Sequence, residues 1–263
     1  METVPFEAIL EQARLAPSGD NIQPWLVKIV SGHELWIFKN QADFVSPSDY
    51  FRGGLYCGIG AFIEAIVITA SQHGFGVSVT YTEDIGPETE HLASLSFSML
   101  SDSEQAKLDR PLYLALPDRR TDRRRYRKET PDSNVTRQLE ESIAYLGGRV
   151  VWMSDPVALK QLSKAFSKHD DFFWTNDEGP RNDLVRFVHR SGSAVAPSSG
   201  MPSNTLGLGW KAPLLPMTFR IAYSIPWLWK VIGWQSKYVS EDLMQHSGAL
   251  ALIVLPKRQE KKV

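Results

Sequence analysis

The segment Gly53 to Ala70, GGLYCGIGAFIEAIVITA, carries a single formal charge, Glu64. A helix of that length would barely cross a bilayer, and a carboxylate in its middle would be costly there. It is therefore read as a helix buried on all sides in a large soluble core, with Glu64 expected to find a buried partner. Only a chain with much other apolar surface can bury such a helix. With 263 residues, 43% of them hydrophobic and 22% charged, this chain can do so as one large domain or two small ones.

The flanking patterns supply the partners for that helix. Phe6, Ile9, Leu10 and Ala13 form the stripe of an amphipathic helix that Pro17 closes. WLVKIV, SGHE and LWIFK, from Trp25, read as a β-hairpin. Gly74 and Gly76 stop the central helix. VSVTYT and SLSFSM alternate as antiparallel strands. RPLYLALPDRR reads as a short helix. In the second half, Pro131 to Leu146 is a helix closed by Gly147 and Gly148, and RVVWM is a strand. Asp155 opens a helix with Leu159, Leu162 and Phe166 as its inner face. Glu178 to Arg190 is helical, and the small residues of SGSAVAPSSGMPSNTLGLG form a loop. Gly248 to Leu255, GALALIVL, reads as a buried strand, and RQEKKV as a solvated tail. Helices mixed with antiparallel strands give the class α+β.

Charge and cysteine content narrow the function. The net charge of −1 gives no global pull toward nucleic acid or anionic lipid. The single cysteine, Cys57, excludes an intrachain disulfide and a multi-cysteine metal site. It is expected to pack as a small hydrophobe, and it fits a reducing compartment. The acidic N-terminal stretch METVPFEAILEQAR is unlike a signal peptide, so the expected location is cytoplasmic. The apolar stretch Met217 to Trp234 is interrupted by Arg220, Pro226 and Lys230. It reads as a surface for a partner or a cofactor cover, with a membrane-surface role as the lesser option. No membrane span is expected.

Two segments stand out chemically. In LAPSGDNIQPW, Leu15 to Trp25, small, polar and turn-forming residues follow directly on an apolar helix. This is either a plain turn or a loop that presents backbone amides and short side chains to a ligand. In RRTDRRRYRK, Arg119 to Lys128, seven of ten residues are basic. It can be a solvated charged face, a nucleic-acid patch or a phosphate clamp in which planar guanidiniums grip oxygens in pairs.

These segments resemble those of a known family. Pro17, Ser18, Asn21, Gln23, Pro24 and Trp25 match the AP-S-x-x-N-x-QPW segment of the nitroreductase superfamily, whose members are FMN-dependent oxidoreductases. Arg119, Arg120, Thr121, Arg123 and Tyr126 resemble its RRS-x-R-x-F segment. Gly60 to Gly76 resembles its long central helix, and SGMPSNTLGLG resembles a loop of its long-chain, internally duplicated branch. The resemblance implies a mainly antiparallel sheet packed with helices around a long buried central helix. It also implies a first repeat over residues 1–117 and a divergent second repeat over 118–263. The loosely similar LAPSGDN and VAPSSGMPSN would be an echo of that duplication.

The family's site has two parts, one around the flavin ring and one around its phosphate. By resemblance, Pro17, Ser18, Gly19 and Asn21 would lie beside the ring, and Arg119, Arg120, Thr121 and Arg123 would hold the ribityl phosphate. NAD(P)H would donate hydride to FMN, and the flavin would reduce an electron-poor small-molecule or peptide acceptor. No general acid or base is assigned, because the cofactor carries the chemistry. Two features depart from the pattern. Ala65 stands where a polar residue is common, and PKRQEKKV follows the last strand where a second long helix would come. The second repeat is thus expected to lack its C-terminal end. That opens the alternatives of a flavin-binding or storage protein without turnover, or of a subunit whose site a second copy or partner chain completes. Flavin-dependent dehydrogenation of a modified peptide is a further variant. A nucleic-acid module built on the arginine tract is the competing class, and no nucleic-acid partner is expected if flavin occupies those arginines. His169, Asp170 and Asp171 are adjacent in sequence and do not converge as metal ligands do, so no metal is expected. Phe172, Phe173 and Trp174 are expected to pack in the core.

Overall fold

The computed structural model describes residues 3–40, 48–83, 85–86, 89–101, 103, 110–190 and 199–256. The chain forms two compact units. The first comprises residues 1–122, 182–205 and 210–216, and the second comprises 123–181, 206–209 and 217–263. The first thus gathers the sequence before Arg123 together with two later segments. The mixture of helices with a mainly antiparallel arrangement of strands is an α+β architecture.

The first unit is organised by helix α2, Gly53–Gln72. Leu55, Ile59, Phe62, Ile63, Ile66 and Ala70 bury one broad face of it. Against that face lie α1, Phe6–Ala13, through Phe6, Ile9 and Ala13, and the sheet. The strands are β1 (Trp25–Ser31), β2 (Glu34–Lys39), β3 (Phe75–Tyr81) and β4 (His91–Met99), in the antiparallel order β1-β2-β4-β3. Alternation sets the faces. Leu35 and Ile37 of β2 point into the core beside Ala93 and Leu95 of β4, while Trp36 lies on the other face under the Lys28 ammonium, 5.5 Å from its ring centre. Gly74 ends α2 at φ 81°, whereas Gly76 is a residue of β3. A short helix, α3 (Arg110–Ala115), leads to the arginine tract.

Burial of α2 is not complete, which corrects the reading of a helix enclosed on all sides. Gly53, Cys57, Gly60 and Glu64 lie along one exposed strip. Cys57 is exposed rather than packed in the core. Glu64 is exposed as well, and its charge is felt by Tyr81 of β3. Burial first, and the Glu64 carboxylate second, raise the Tyr81 hydroxyl above the ordinary tyrosine value. Water solvates the Glu64 carboxylate, so no buried partner is needed. Among the described residues α2 is the one helix long and apolar enough to cross a bilayer, and its apolar face forms the core of this unit.

The second unit is built differently. Helix α4, Ser133–Tyr145, starts where the Asp132 carboxylate accepts from the Asn134 amide. Strand β5, Arg149–Met153, follows. Helix α5, Pro156–Asn176, is capped by Asp155, which accepts from the Ala158 amide at 2.7 Å. Helix α6, Glu178–Phe187, crosses the boundary between the units. In the first unit it leads to the short parallel pair β6 (Val188–His189) and β7 (Met201–Pro202). The end of the segment expected to be helical is thus strand, and residues 191–198 of the expected loop lie outside the described residues. Helices α7, Leu215–Ser224, and α8, Leu228–Gln245, precede β8, Leu250–Val254.

Helices α5 and α8 form the main packing of this unit. The face of α5 that meets α8 runs through Leu159, Ser163 and Ser167, and Phe166 is exposed. The serines win because small side chains let α8 approach. Gln245 Nε2 donates to the Ser163 hydroxyl at 3.3 Å, and a side chain at Gly233 would fall 2.9 Å from Thr175 Oγ1. Of the aromatic run, Phe173 and Trp174 are half-buried and meet edge to face, while Phe172 is exposed. The last strand also departs from expectation. β8 pairs with β5 in a two-stranded sheet, and Leu252 is 62% exposed. A strand with a single partner in a two-stranded sheet buries little of its side chains, however apolar its sequence.

Candidate functional site

The loop after α1 is held in an unusual backbone path. Among the described residues only four other than glycine have positive φ. Three of them, Asp20 (48°), Asn21 (55°) and Gln23 (55°), lie in this loop, and the fourth, Arg52 (57°), immediately precedes α2. Asp and Asn tolerate this region better than most residues, and Gln and Arg do so at a cost of about 1–2 kcal/mol each. The surroundings impose it. The Ser18 hydroxyl accepts from the Gln23 amide at 2.9 Å. Trp25 stacks on Phe62 of α2 with centroids 4.4 Å apart and planes 3° from parallel. Gly58 of α2 lies against Ser18, where an added side-chain carbon would come within 3.2 Å. The tryptophan of the QPW segment is therefore the bolt that fixes the loop to the core helix.

Two further segments join this loop in the first unit. Asn21 Nδ2 donates to the Gly200 carbonyl at 3.1 Å, and the Gly200 amide donates to the Asn21 carbonyl at 3.2 Å. The two loops that resemble each other in sequence thus meet through a reciprocal pair of hydrogen bonds. Gly200 has φ 91°, and a β-carbon there would lie 2.6 Å from the Phe187 carbonyl, so glycine is required. From the other direction, Arg119 Nε donates to the Leu15 carbonyl at 3.3 Å. The Arg120 guanidinium folds onto the Pro117 and Arg119 carbonyls at 2.7 and 2.9 Å.

Of the residues expected to bind cofactor, Pro17, Ser18, Gly19, Asn21, Arg119, Arg120 and Thr121 all lie in the first unit, and Arg123 in the second. Pro17, Gly19, Asn21, Arg119, Arg120 and Thr121 are exposed, and Ser18 and Arg123 are half-buried. Gly19 lines a cleft of about 240 Å³ shared with Asp20, Ile22 and Pro24 of the same loop and with Ser48, Asp49, Arg52, Gly54 and Leu55 at the start of α2. The Asp49 carboxylate accepts from the Gly54 and Leu55 amides at 3.1 and 2.8 Å, so the amides that would greet an anion at this helix end are already engaged. Ser48 in turn donates its amide and its hydroxyl to the buried Asp183 carboxylate. Asp49 and Arg52 were not singled out in the sequence. The signal was present in S-D-Y-F-R-G-G, an aspartate placed ahead of two glycines that open a helix.

In the second unit Arg123 lines a wider depression of about 610 Å³ with Arg125, Leu206, Gly207, Glu241 and Asp242 among its walls. Gly207, at φ 73°, lets its loop lie against the Arg123 backbone, where a β-carbon would be 2.7 Å from the carbonyl. Arg125 bonds to Asp242 at 2.9 Å and to His246 Nε2 at 2.5 Å. His246 Nδ1 lies 2.8 Å from the Asp242 carbonyl.

The donor set of the first unit fits a phosphorylated ligand in its chemistry. Arg119 and Arg120 are directed to carbonyl oxygens, and neither pairs with a carboxylate among the described residues. Ser18 accepts one bond and retains its O–H, and Asn21 retains its Oδ1. Compared with known proteins, the chain matches no family model and no curated protein.

Proposed function

We propose that this chain is an FMN-binding oxidoreductase of nitroreductase type. The observation that carries the reading is the bond from Arg119 to Leu15, which ties the arginine segment to the head of the strained loop. It supports a shared purpose for two segments far apart in sequence. In this reading Arg119 and Arg120 hold the phosphate, with the Thr121 hydroxyl beside them. Pro17, Ser18, Gly19 and Asn21 border the ring, because short side chains permit close backbone approach. Arg123 is assigned to the phosphate by resemblance alone.

When bound, the flavin supplies hydride acceptance from NAD(P)H and onward reduction of an electron-poor acceptor. The chain's own residues bind and orient. Trp25 on Phe62 and the Asn21–Gly200 pair fix the loop before a ligand arrives, which reduces the entropy lost on binding. The exposure of Pro17, Gly19, Asn21, Arg119, Arg120 and Thr121 favours a second reading, in which another chain covers the same residues and the protein holds flavin without independent turnover. Titration of the purified chain with FMN, followed by addition of NADH or NADPH, separates the two. Bound flavin that is bleached by nicotinamide supports the oxidoreductase. Bound flavin that stays oxidised supports the holding role, and no bound flavin rejects both.

A further inference from the structure

The stretch Met217 to Trp234 in the second unit has no role in the flavin reading. It forms most of α7 and the first half of α8, joined by Ile225, Pro226 and Trp227. Phe219, Ala222 and Trp229 face inward, with Phe219 and Trp229 stacked 6.2 Å apart. The opposite side is apolar and open. Met217 is 59% exposed, Trp227 63% and Trp234 55%. Trp227, Val231 and Trp234 follow the spacing of a single helix face, and Met217 and Ile221 do the same on α7. Tyr223 is exposed near the turn.

Charge says what this surface would meet. Between Met217 and Glu241 the sequence contains no Asp or Glu, while it holds Arg220, Lys230 and Lys237. A chain with nearly balanced charge overall thus has only cations among the charged side chains of the segment that carries Trp227 and Trp234. Arg220 and Lys230 are exposed within the apolar patch itself, and neither meets a carboxylate among the described residues. A second copy docked face to face would set these cations against their own kind. Apolar side chains, interfacial Trp and Tyr, and unopposed Lys and Arg are the combination that suits an anionic lipid surface. We propose that the α7–α8 segment docks the protein on anionic membranes, lying in the headgroup region without spanning the bilayer.

The test uses the full chain, with and without FMN, and vesicles of phosphatidylcholine alone or with phosphatidylserine, separated by sedimentation. The chain is expected to sediment with the anionic vesicles, to be released by high salt, and to stay in solution with phosphatidylcholine alone. The double variant R220Q/K230Q is expected to lose about thirtyfold in affinity, from roughly fivefold per charge. The double variant W227S/W234S is expected to lose at least about tenfold. Circular dichroism of both variants, expected to match the parent, checks that the fold is kept. Absence of binding to anionic vesicles overturns the proposal, as does binding that ignores both double variants. A concentration-dependent dimer that W227S/W234S abolishes, without vesicle binding, would assign the surface to a second copy instead. Flavin binding is independent of every outcome.

Discussion

The two units solve the burial problem in opposite ways. In the first, a four-stranded sheet and α1 enclose one broad face of α2, and Ile9, Leu35, Ile37, Ile66 and Leu95 are wholly buried there, although Phe51 and Trp210 stay exposed. In the second, the five-residue strands β5 and β8 form one two-stranded sheet, and α5 and α8 meet along serines and a glycine. Large apolar residues such as Trp227, Trp234, Leu252 and Phe172 remain at the surface. Since stability comes chiefly from buried apolar area, the first unit is the scaffold on which a precise loop can be held. The second carries surface that other molecules can use.

This contrast can be broken by mutation. The largest effect is expected at Phe62, buried in the core and stacked under Trp25. Phe62→Ala should cost about 3–5 kcal/mol and free the loop, read by denaturant unfolding. In β8, Leu252→Ala should change stability by no more than about 0.5 kcal/mol. Equal costs at the two sites would erase the distinction. Next comes Gly200, where alanine meets the Phe187 carbonyl in a left-handed backbone. A loss of about 1–3 kcal/mol is expected, together with weaker flavin binding through Asn21. Asp155→Ala removes the cap of α5 and should cost about 1 kcal/mol, seen as a lower thermal midpoint.

Smallest is the effect at Tyr81. Its raised folded value means that the unfolded chain loses this proton first, so stability falls as pH rises from the ordinary tyrosine range through the folded value. Glu64→Gln should bring the Tyr81 titration part of the way back, because burial, the larger cause, remains. The difference between parent and Tyr81→Phe absorbance titrations reads it. Hydrogen exchange sharpens the comparison without mutation: amides of β2 and β4 should outlast those of β5 and β8.

What could be read in advance follows the same division. Phe6, Ile9 and Ala13, the extent of α2, and the strands β1 to β4 were legible because periodicity reports burial when a second layer exists. β8 was misread because apolar sequence states a need for cover and does not say whether cover is present. Phe166 was misplaced on α5 because the face a helix uses depends on its neighbour, and here α8 selects Ser163 and Ser167. Cys57 and Glu64 escaped for a related reason: α2 is enclosed on one broad side only. At the candidate site, the loop from Pro17 to Asn21 and the arginines announced themselves by composition. The Asn21–Gly200 pair and the Arg119–Leu15 bond depend on contacts across long sequence separations, which no local pattern encodes, whereas the Asp49 contacts at the start of α2 are local and were signalled by S-D-Y-F-R-G-G.

The central claim is that Arg119 and Arg120, beside the loop they touch, hold the phosphate of a flavin. The most direct measurement is FMN binding by the parent chain, by R119A/R120A and by R123A, followed through the visible spectrum and fluorescence of the flavin. The account predicts that the parent binds FMN and that R119A/R120A loses it by about 100-fold or more, from two charge-assisted contacts, while unfolding as the parent does. R123A shows whether the second unit contributes. A parent chain that binds no flavin, or an R119A/R120A variant that binds it as tightly as the parent, would contradict the account.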